Sequence, residues 1–248
     1  MNHNSTLLMT RALILAFISF TPFWGWSQFN RSIDVMGSLD YGYRTISTDA
    51  EEAITKLIVD KRNEKELPKL NWRIGVNFNQ RLSNKFVLKT GLHLANDGYT
   101  TKKTDLIYGS EFDEFGNYTP DPSLPRKSHF VYNYWFAEIP LVGRFELNQK
   151  KFAPFVEAGI LPSVYLTSRV RTVVDDESST NFIDETDIGY NRLHLSGNVA
   201  IGVNYSPNEN IQLFGQPSLR YHFTSLVDAP IKEHLYSFGL ELGLRKKI

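Results

Sequence analysis

The amino-acid sequence predicts an all-β fold, namely an eight-stranded antiparallel up-and-down transmembrane β-barrel with long extracellular loops and short periplasmic turns. Two observations support this prediction. Apolar and polar residues alternate with a period of two in eight segments, which is the spacing of a strand with two unlike faces. The connections between these segments alternate in length, so that short turns and long loops gather at opposite rims, as they do in outer-membrane barrels.

The alternation is clearest in the last segment, where Leu240 and its alternate neighbours share one face and Ser237, Glu241 and Arg245 share the other. The predicted strands are residues 33–44, 70–79, 86–96, 135–147, 152–169, 193–205, 211–223 and 236–245. One of them contains Pro154 and Pro162. Because proline has no N–H to donate to a neighbouring strand, we expect a bulge or bend at one of these two positions.

The connections divide into two classes by length. The short polar turns are residues 83–85, 148–150 and 207–210, and the longer polar loops are residues 47–68, 104–127, 174–188 and 225–232. In an outer-membrane barrel the turns face the periplasm, and an even strand number places both termini there. Within the loops we expect a short helix in residues 49–65 and a reverse turn in residues 113–117.

One face of the predicted strands is apolar and the other is polar. The charged or titratable residues predicted on the polar face are Asp34, Asp40, Arg44, Arg73, Lys89, His93, Glu138, Arg144, Glu146, Glu157, Arg169, Arg220, Glu241 and Arg245. A soluble barrel of the lipocalin type would place the apolar face inside, and alternation alone does not exclude it. We favour the opposite arrangement, because small residues and nearly balanced charges suit a narrow, filled lumen.

Aromatic residues near the strand ends support the same orientation. Those predicted beside the short turns are Phe78, Phe86, Phe145 and Tyr205, and those beside the long loops are Tyr43, Trp72, Trp135, Phe223 and Tyr236. Two such girdles are typical of the two membrane interfaces. The general preference of aromatic residues for strands is the alternative explanation.

Composition limits the class of protein. The 248 residues carry 27 Lys and Arg against 27 Asp and Glu, so nucleic acid is not an expected partner. Because Cys is 0, disulfides, thiolate metal sites, cysteine nucleophiles and a lipoprotein anchor are excluded. Arg11, the apolar run 12–20 and the small residues Gly25 and Ser27 predict a signal peptide over residues 1–27, followed by a barrel domain over 28–248. A membrane anchor is the alternative, but the run is shorter than the roughly 20 residues that a spanning helix needs.

Three sequence features resemble the small outer-membrane β-barrel domain family of Bacteroidota. They are residues 134–145, with Glu138-Ile139-Pro140-Leu141 at their centre, residues 155–159, and residues 218–221 with the glycine-alternating last strand. The resemblance covers residues 28–248. The family includes PorT-like barrels associated with gliding and type IX secretion. It implies an outer-membrane barrel and names no reaction. The terminal Ile248 departs from the aromatic residue that usually ends the family's chains.

The sequence assigns no catalytic, cofactor-binding or metal-binding residues. His93, His194 and His222 are predicted on the inner face. A weak constellation at the loop rim contains His129, Ser225, Asp228 and His234, but spacing does not place a nucleophile beside a base. A cluster of acidic loop residues lacks the regular spacing of a calcium loop; it contains Asp175, Asp176, Glu177, Glu185 and Asp187.

These observations favour a structural or interaction role rather than an enzyme. We expect a barrel with a filled lumen and no cofactor, located in the outer membrane with both termini in the periplasm. Its expected partners are the lipid bilayer and an envelope or secretion-system protein that its loops contact. The alternatives are a hydrolase or acyl-transferase at the rim and a soluble barrel that carries an apolar ligand.

Overall fold

The computed structural model describes residues 31–48, 52–106, 111–112, 114–116, 118–119, 127–175, 177–183 and 189–248. The predicted signal peptide, residues 1–27, lies outside the described residues. Asp113 and Asn117, the ends of the predicted reverse turn, also lie outside them.

The described residues form fourteen strands and one helix. In chain order they are β1 (Arg31–Thr48), α1 (Ala53–Lys65), β2 (Glu66–Arg81), β3 (Phe86–Asp97), β4 (Tyr99–Thr101), β5 (Thr104–Asp105), β6 (Glu111–Phe112), β7 (Tyr118–Thr119), β8 (Lys127–Glu138), β9 (Leu141–Glu146), β10 (Phe152–Val174), β11 (Glu177–Ile183), β12 (Leu193–Tyr205), β13 (Ile211–His222) and β14 (Ile231–Lys247). In this part of the chain, no helix is long and apolar enough to cross a membrane.

Twelve of these strands join in one antiparallel sheet that closes on itself. Strand β1 pairs with β2 on one side and with the last strand, β14, on the other. Strands β12, β13 and β14 pair consecutively, β10 pairs with β12, and β2 pairs with β3. The ring is completed by β8 and β9, which both lie between β3 and β10. The first strand therefore pairs with the last, which closes the sheet.

The eight predicted segments all form strands, and most strands extend further at the long-loop end. The predicted segment 135–147 is interrupted at Ile139 and Pro140, which separate β8 from β9. Helix α1 confirms the helix predicted in residues 49–65 over its described part. Since twelve strands share the sheet, the predicted number of eight stays a prediction here.

The bulge expected at Pro154 or Pro162 is elsewhere. Both prolines pair with β12 in continuous register, and the register shift lies between Tyr165 and Thr167 in the pairing of β10 with β8. The carbonyl of Pro162 accepts a hydrogen bond from the N–H of Ile139 at 2.9 Å. Because the N and O of a strand residue point to the same neighbour, the missing N–H of Pro162 faces the interruption between β8 and β9. The proline therefore needs no bulge of its own.

The register shift also changes the position of Arg169. We predicted this side chain on the polar inner face, and that prediction is wrong, because Arg169 is exposed on the outside of the sheet. One extra residue in a strand reverses the faces of all residues that follow it. The side chains of Tyr165 and Ser168 are both buried, although three positions separate them.

The other thirteen residues predicted on the polar face are buried. Apolar side chains point outward instead, as shown by Leu39, Leu240 and Ile201, which are 60%, 51% and 68% exposed. The lipocalin-type alternative, with apolar side chains inside, is therefore wrong. Small inner residues make room for the charges: a β-carbon at Gly239 would overlap Oδ1 of Asp40.

Outward aromatic residues lie at both ends of the strands. At the long-loop end, the rings of Trp72 and Trp135 meet edge to face at 5.2 Å, and Tyr43 meets Tyr236 in the same way at 6.1 Å. At the short-turn end, the paired residues Phe86 and Phe145 belong to β3 and β9 and are 38% and 42% exposed. This distribution agrees with the two predicted aromatic girdles.

We predict that Leu240→Arg lowers the free energy of unfolding by about 2–4 kcal/mol, because it places a charge among acyl chains. Ser237→Ala, three residues away on the inner face, is the control and should cost little. Denaturant titration in phospholipid vesicles measures both values. Equal tolerance of the two substitutions would show that the assigned faces are wrong.

Candidate functional site in the lumen and at the loop rim

Charged side chains fill the lumen at the short-turn end. Asp34 of β1 accepts hydrogen bonds from Asn77 at 2.7 Å, from Asn79 at 2.8 Å and from the guanidinium of Arg245 at 3.0 Å. Asp34 is fully buried. A buried carboxylate with three donors has its charge compensated, so this layer ties β1 to β2 and β14.

A second layer is organised around Glu157 of β10. It receives the guanidinium of Arg144 and the ammonium of Lys89, the latter at 2.7 Å. Gln216 donates to Glu157 at 3.1 Å and to Glu241 at 3.0 Å, and so bridges two carboxylates. The layer joins strands on different sides of the ring.

The centre of the lumen is occupied by Arg220 of β13. Its guanidinium donates to Glu138 at 2.6 Å and to Asp97 at 2.5 Å. Arg73 of β2 lies 3.4 Å from Glu241 of β14, on the other side of β1. Four of the largest fully buried side chains are arginines, which leaves the axis packed with charged groups over the described residues.

An aromatic layer lies above the charges, towards the long loops. Phe136 contacts Tyr165 with ring centroids 6.0 Å apart, and Tyr165 stacks on Tyr190 at 5.0 Å. Tyr134 meets Tyr190 edge to face, and Leu226 packs in the same cluster. This layer separates the charged lumen from the long-loop rim.

At the rim, Arg44 of β1 forms a second ionic group. It bonds Glu66 and Glu233, and its guanidinium lies 3.8 Å from the ring centre of Tyr99. Arg62 of helix α1 reaches the same two carboxylates, at 3.3 Å from Glu66 and 2.7 Å from Glu233. Helix α1 is therefore attached to the barrel by Arg62.

One buried cluster offers metal-ligating atoms. Asp97, Glu138 and His222 place one ligand atom each within 4.8 Å of one another. His222 Nε2 lies 3.6 Å from Asp97 Oδ2, beyond hydrogen-bond distance. These three residues could hold a divalent cation, but Arg220 already binds both carboxylates and opposes a second positive charge. The sequence had placed His222 inside without identifying its two partners.

The structure does not join the rim residues that the sequence suggested as a weak constellation. The hydroxyl of Ser225 donates to the carbonyl of Val227 at 2.9 Å and accepts from the N–H of Glu233 at 3.0 Å. His234 stacks on Tyr221, and its Nδ1 lies 3.0 Å from the carbonyl of His222. Ser225 and His234 thus have other partners than each other.

His129 lies in a positive environment at the same rim. Partial burial, followed by the nearby charges of Lys103 and Arg171, lowers the pKa of His129. In the acidic cluster, Asp175 accepts a hydrogen bond from the N–H of Lys127 at 2.9 Å and so closes the end of a strand pair. Three other members of that cluster, at 176, 185 and 187, lie outside the described residues.

The sequence did not reveal a groove on the outer wall beside the long-loop rim. The groove has a volume of about 720 Å³. Six of the residues that line it, which define the outer groove below, are Lys69, Trp72, Asn133, Trp135, Arg169 and Arg171. Its two arginines face outward only because of the register shift after Tyr165, which has no sequence signal.

Comparison with known proteins identifies a family with a matching sequence pattern. The model of a family described as outer membrane protein beta-barrel domain matches residues 26–229. A search of curated proteins finds no match.

Among solved structures, the chain is similar to Neisserial surface protein A, with 14% identity over 90% of this chain and 98% of that chain and a TM-score of 0.38. It is similar to OprG from Pseudomonas aeruginosa, with 9% identity, 89% and 96% coverage and a TM-score of 0.46. It is also similar to the outer-membrane protease OmpT from Escherichia coli, with 9% identity over 90% of this chain and 99% of that chain and a TM-score of 0.45.

The family match agrees with the closed antiparallel sheet and with its outward apolar face. It also agrees with the predicted location in the outer membrane. Because the match covers most of the sequence, the chain belongs to the outer membrane protein beta-barrel domain family and is located in the cell outer membrane.

Proposed function

We propose that this chain is a closed outer-membrane barrel with a structural or interaction role, in which the long-loop rim is the surface that meets a ligand or partner protein. The observation that carries this proposal is the filled lumen. Ion pairs, an aromatic layer and the group around Arg44 succeed one another along the axis, as described above. A lumen of this kind has no room for a diffusing solute.

We also propose that the barrel wall consists of eight strand units. Strands β8 and β9 are consecutive in the chain and pair with the same two neighbours, β3 and β10, so they form one interrupted strand unit. Strands β4, β5 and β11 lengthen the wall at the long-loop end. The eight strand units are then β1, β2, β3, β8 with β9, β10, β12, β13 and β14.

The proposed orientation has the long loops outside the cell and both termini in the periplasm. The three short turns that the sequence predicted, at 83–85, 148–150 and 207–210, lie at the same end of the sheet as Arg31 and Lys247. Outer-membrane barrels place their tight turns on the periplasmic side, where the termini then also lie.

The finer assignment to the PorT-like barrels of Bacteroidota is part of the proposal. It is supported by Glu138-Ile139-Pro140-Leu141, which forms the junction of β8 and β9 and supplies the carboxylate that Arg220 binds. An envelope or secretion-system protein would then be the partner at the rim. A hydrolase or acyl-transferase at the rim is the weaker alternative, because the hydroxyl of Ser225 is engaged with backbone atoms.

The filled lumen predicts that the purified chain gives no stepwise ion conductance in planar lipid bilayers. Heat-modifiable gel mobility of the same sample shows that the barrel is folded, and an open porin in the same bilayer shows that the assay detects pores. A stable conductance from the folded chain would contradict the closed barrel.

The central ion pairs predict that Arg220→Ala lowers the free energy of unfolding by about 3–5 kcal/mol, because Glu138 and Asp97 would lose the cation that compensates them. Arg171→Ala is the matched control, since Arg171 is exposed and forms no ion pair with a described residue. Denaturant titration in phosphatidylcholine vesicles measures both. Equal stability of the two variants would show that the lumen charges do not hold the barrel together.

The attachment of α1 predicts that Arg62→Ala speeds cleavage of the first long loop by protease added to intact cells. Arg62 is the helix residue that bonds both Glu66 and Glu233. Lys61→Ala is the control, because the ion pair that Lys61 forms among the described residues is with the exposed Glu64 of the same helix, at 3.5 Å. Cleavage that requires permeabilised cells would reverse the proposed orientation, and equal rates for both variants would show that Arg62 does not hold the helix.

A further inference from the structure

The outer groove combines cations and indole rings on the face of the barrel that meets lipid. Trp72 and Trp135 alternate in sequence with the buried residues Arg73 and Tyr134, so both indoles lie on the outward face. Arg169 and Arg171 follow on β10 with the same outward parity. The guanidinium of Arg169 lies 5.3 Å from the ring centre of Phe182, so one of the two arginines also packs on an aromatic ring.

Among the described residues, the two arginines of the outer groove have no acidic partner. Arg169 and Arg171 form no ion pair with a described residue, and no Asp or Glu is among the described residues that line the groove. Lys69 donates to the amide oxygen of Asn71 and lies 3.4 Å from that of Asn96. Asp97 attracts the ammonium of Lys69, and Arg171 repels it. Two exposed arginines without an acidic partner among the described residues indicate an anionic ligand.

The position of the outer groove indicates where that anion comes from. Trp135 pairs with Thr167, and Asn133, the next residue on the same face, pairs with Arg169. Two residues of a strand span about 7 Å, so Arg169 lies about 7 Å further from the membrane centre than the indole of Trp135. This is the depth of the lipid headgroups. Indole rings mark the boundary between acyl chains and headgroups.

We propose that the outer groove binds the phosphate-bearing sugar headgroup of a glycolipid in the outer leaflet. This inference rests on the proposed orientation, in which the long-loop rim faces out. Arg169, Arg171 and Lys69 bind the phosphates, and the indoles of Trp72 and Trp135 pack against the sugar and the start of the acyl chains. Asn133 and the hydroxyls of Ser178 and Thr180 offer hydrogen bonds to sugar hydroxyls.

The size of the outer groove suits this ligand. Its volume of about 720 Å³ lies within the range of roughly 300–1,000 Å³ that small-molecule sites occupy. Arginine suits a phosphate ligand, because its planar fork matches two phosphate oxygens at once.

The test uses the full chain folded in phosphatidylcholine vesicles, with and without bisphosphorylated lipid A. The readout is the temperature at which the heat-modifiable gel band is lost. We expect lipid A to raise this temperature by several degrees, because a ligand that binds only the folded barrel stabilises it. The double variant Arg169→Gln/Arg171→Gln should lose the rise.

The matched control is Lys85→Gln/Lys151→Gln, which removes two cations at the opposite rim, beside the rings of Phe145 and Tyr205. It should keep the full rise. Both arginines are exposed, so the groove variant should fold in plain phosphatidylcholine, where its own heat-modifiable band verifies folding.

Four results would overturn the glycolipid site: no rise for the wild-type chain, an equal rise in the arginine variant, an equal rise with dephosphorylated lipid A, or an equal rise with inorganic phosphate alone. The last result would indicate a free anion as the ligand. If the chain gives no heat-modifiable band in phosphatidylcholine, the proposed barrel function fails as well. A normal band without a lipid A response rejects only the groove.

Discussion

Arg220 lies on the barrel axis and binds Glu138 and Asp97, which belong to two strands on the other side of the ring. Charges buried this deeply are tolerated only when they are paired. Both of these ion pairs of Arg220 cross the lumen, so they constrain the register of strands that do not touch one another. The backbone of the wall must pair its own hydrogen-bonding groups, because lipid offers no alternative donors or acceptors. Ion pairs across the lumen help to hold the strands in the register that this pairing requires.

The outer surface follows from the same constraint. Once the charges occupy the lumen, alternation sends every second side chain outward, and residues such as Leu39 and Leu240 are half exposed or more. The register shift after Tyr165 interrupts that rule at one place on the long-loop side. The two arginines that it turns outward then lie beside indole rings rather than in the lumen, and together they form a cationic groove on the outer wall.

The rim and the lumen are structurally distinct parts of the molecule. The aromatic layer around Phe136 and Tyr165 divides them, and above it Arg44 and Arg62 share Glu66 and Glu233. Helix α1 is thereby fixed to the wall, so part of the first long loop has a defined position. A rim held in this way can present a surface of constant shape to a partner, whereas the lumen below contributes stability.

The sequence by itself determined the eight long strand segments, the three short turns, helix α1 and the facing of thirteen of the fourteen polar-face residues, because a period of two is a local property that each segment carries alone. It did not predict the short strands β4, β5, β6, β7 and β11, which lie in or beside the predicted loops. The outward position of Arg169, the cluster of Asp97, Glu138 and His222, and the attachment of α1 by Arg62 were decided only by the tertiary structure. Their physical reason is shared. Each depends on the register between segments far apart in the chain, and register is set by the closure of the whole ring rather than by any one strand.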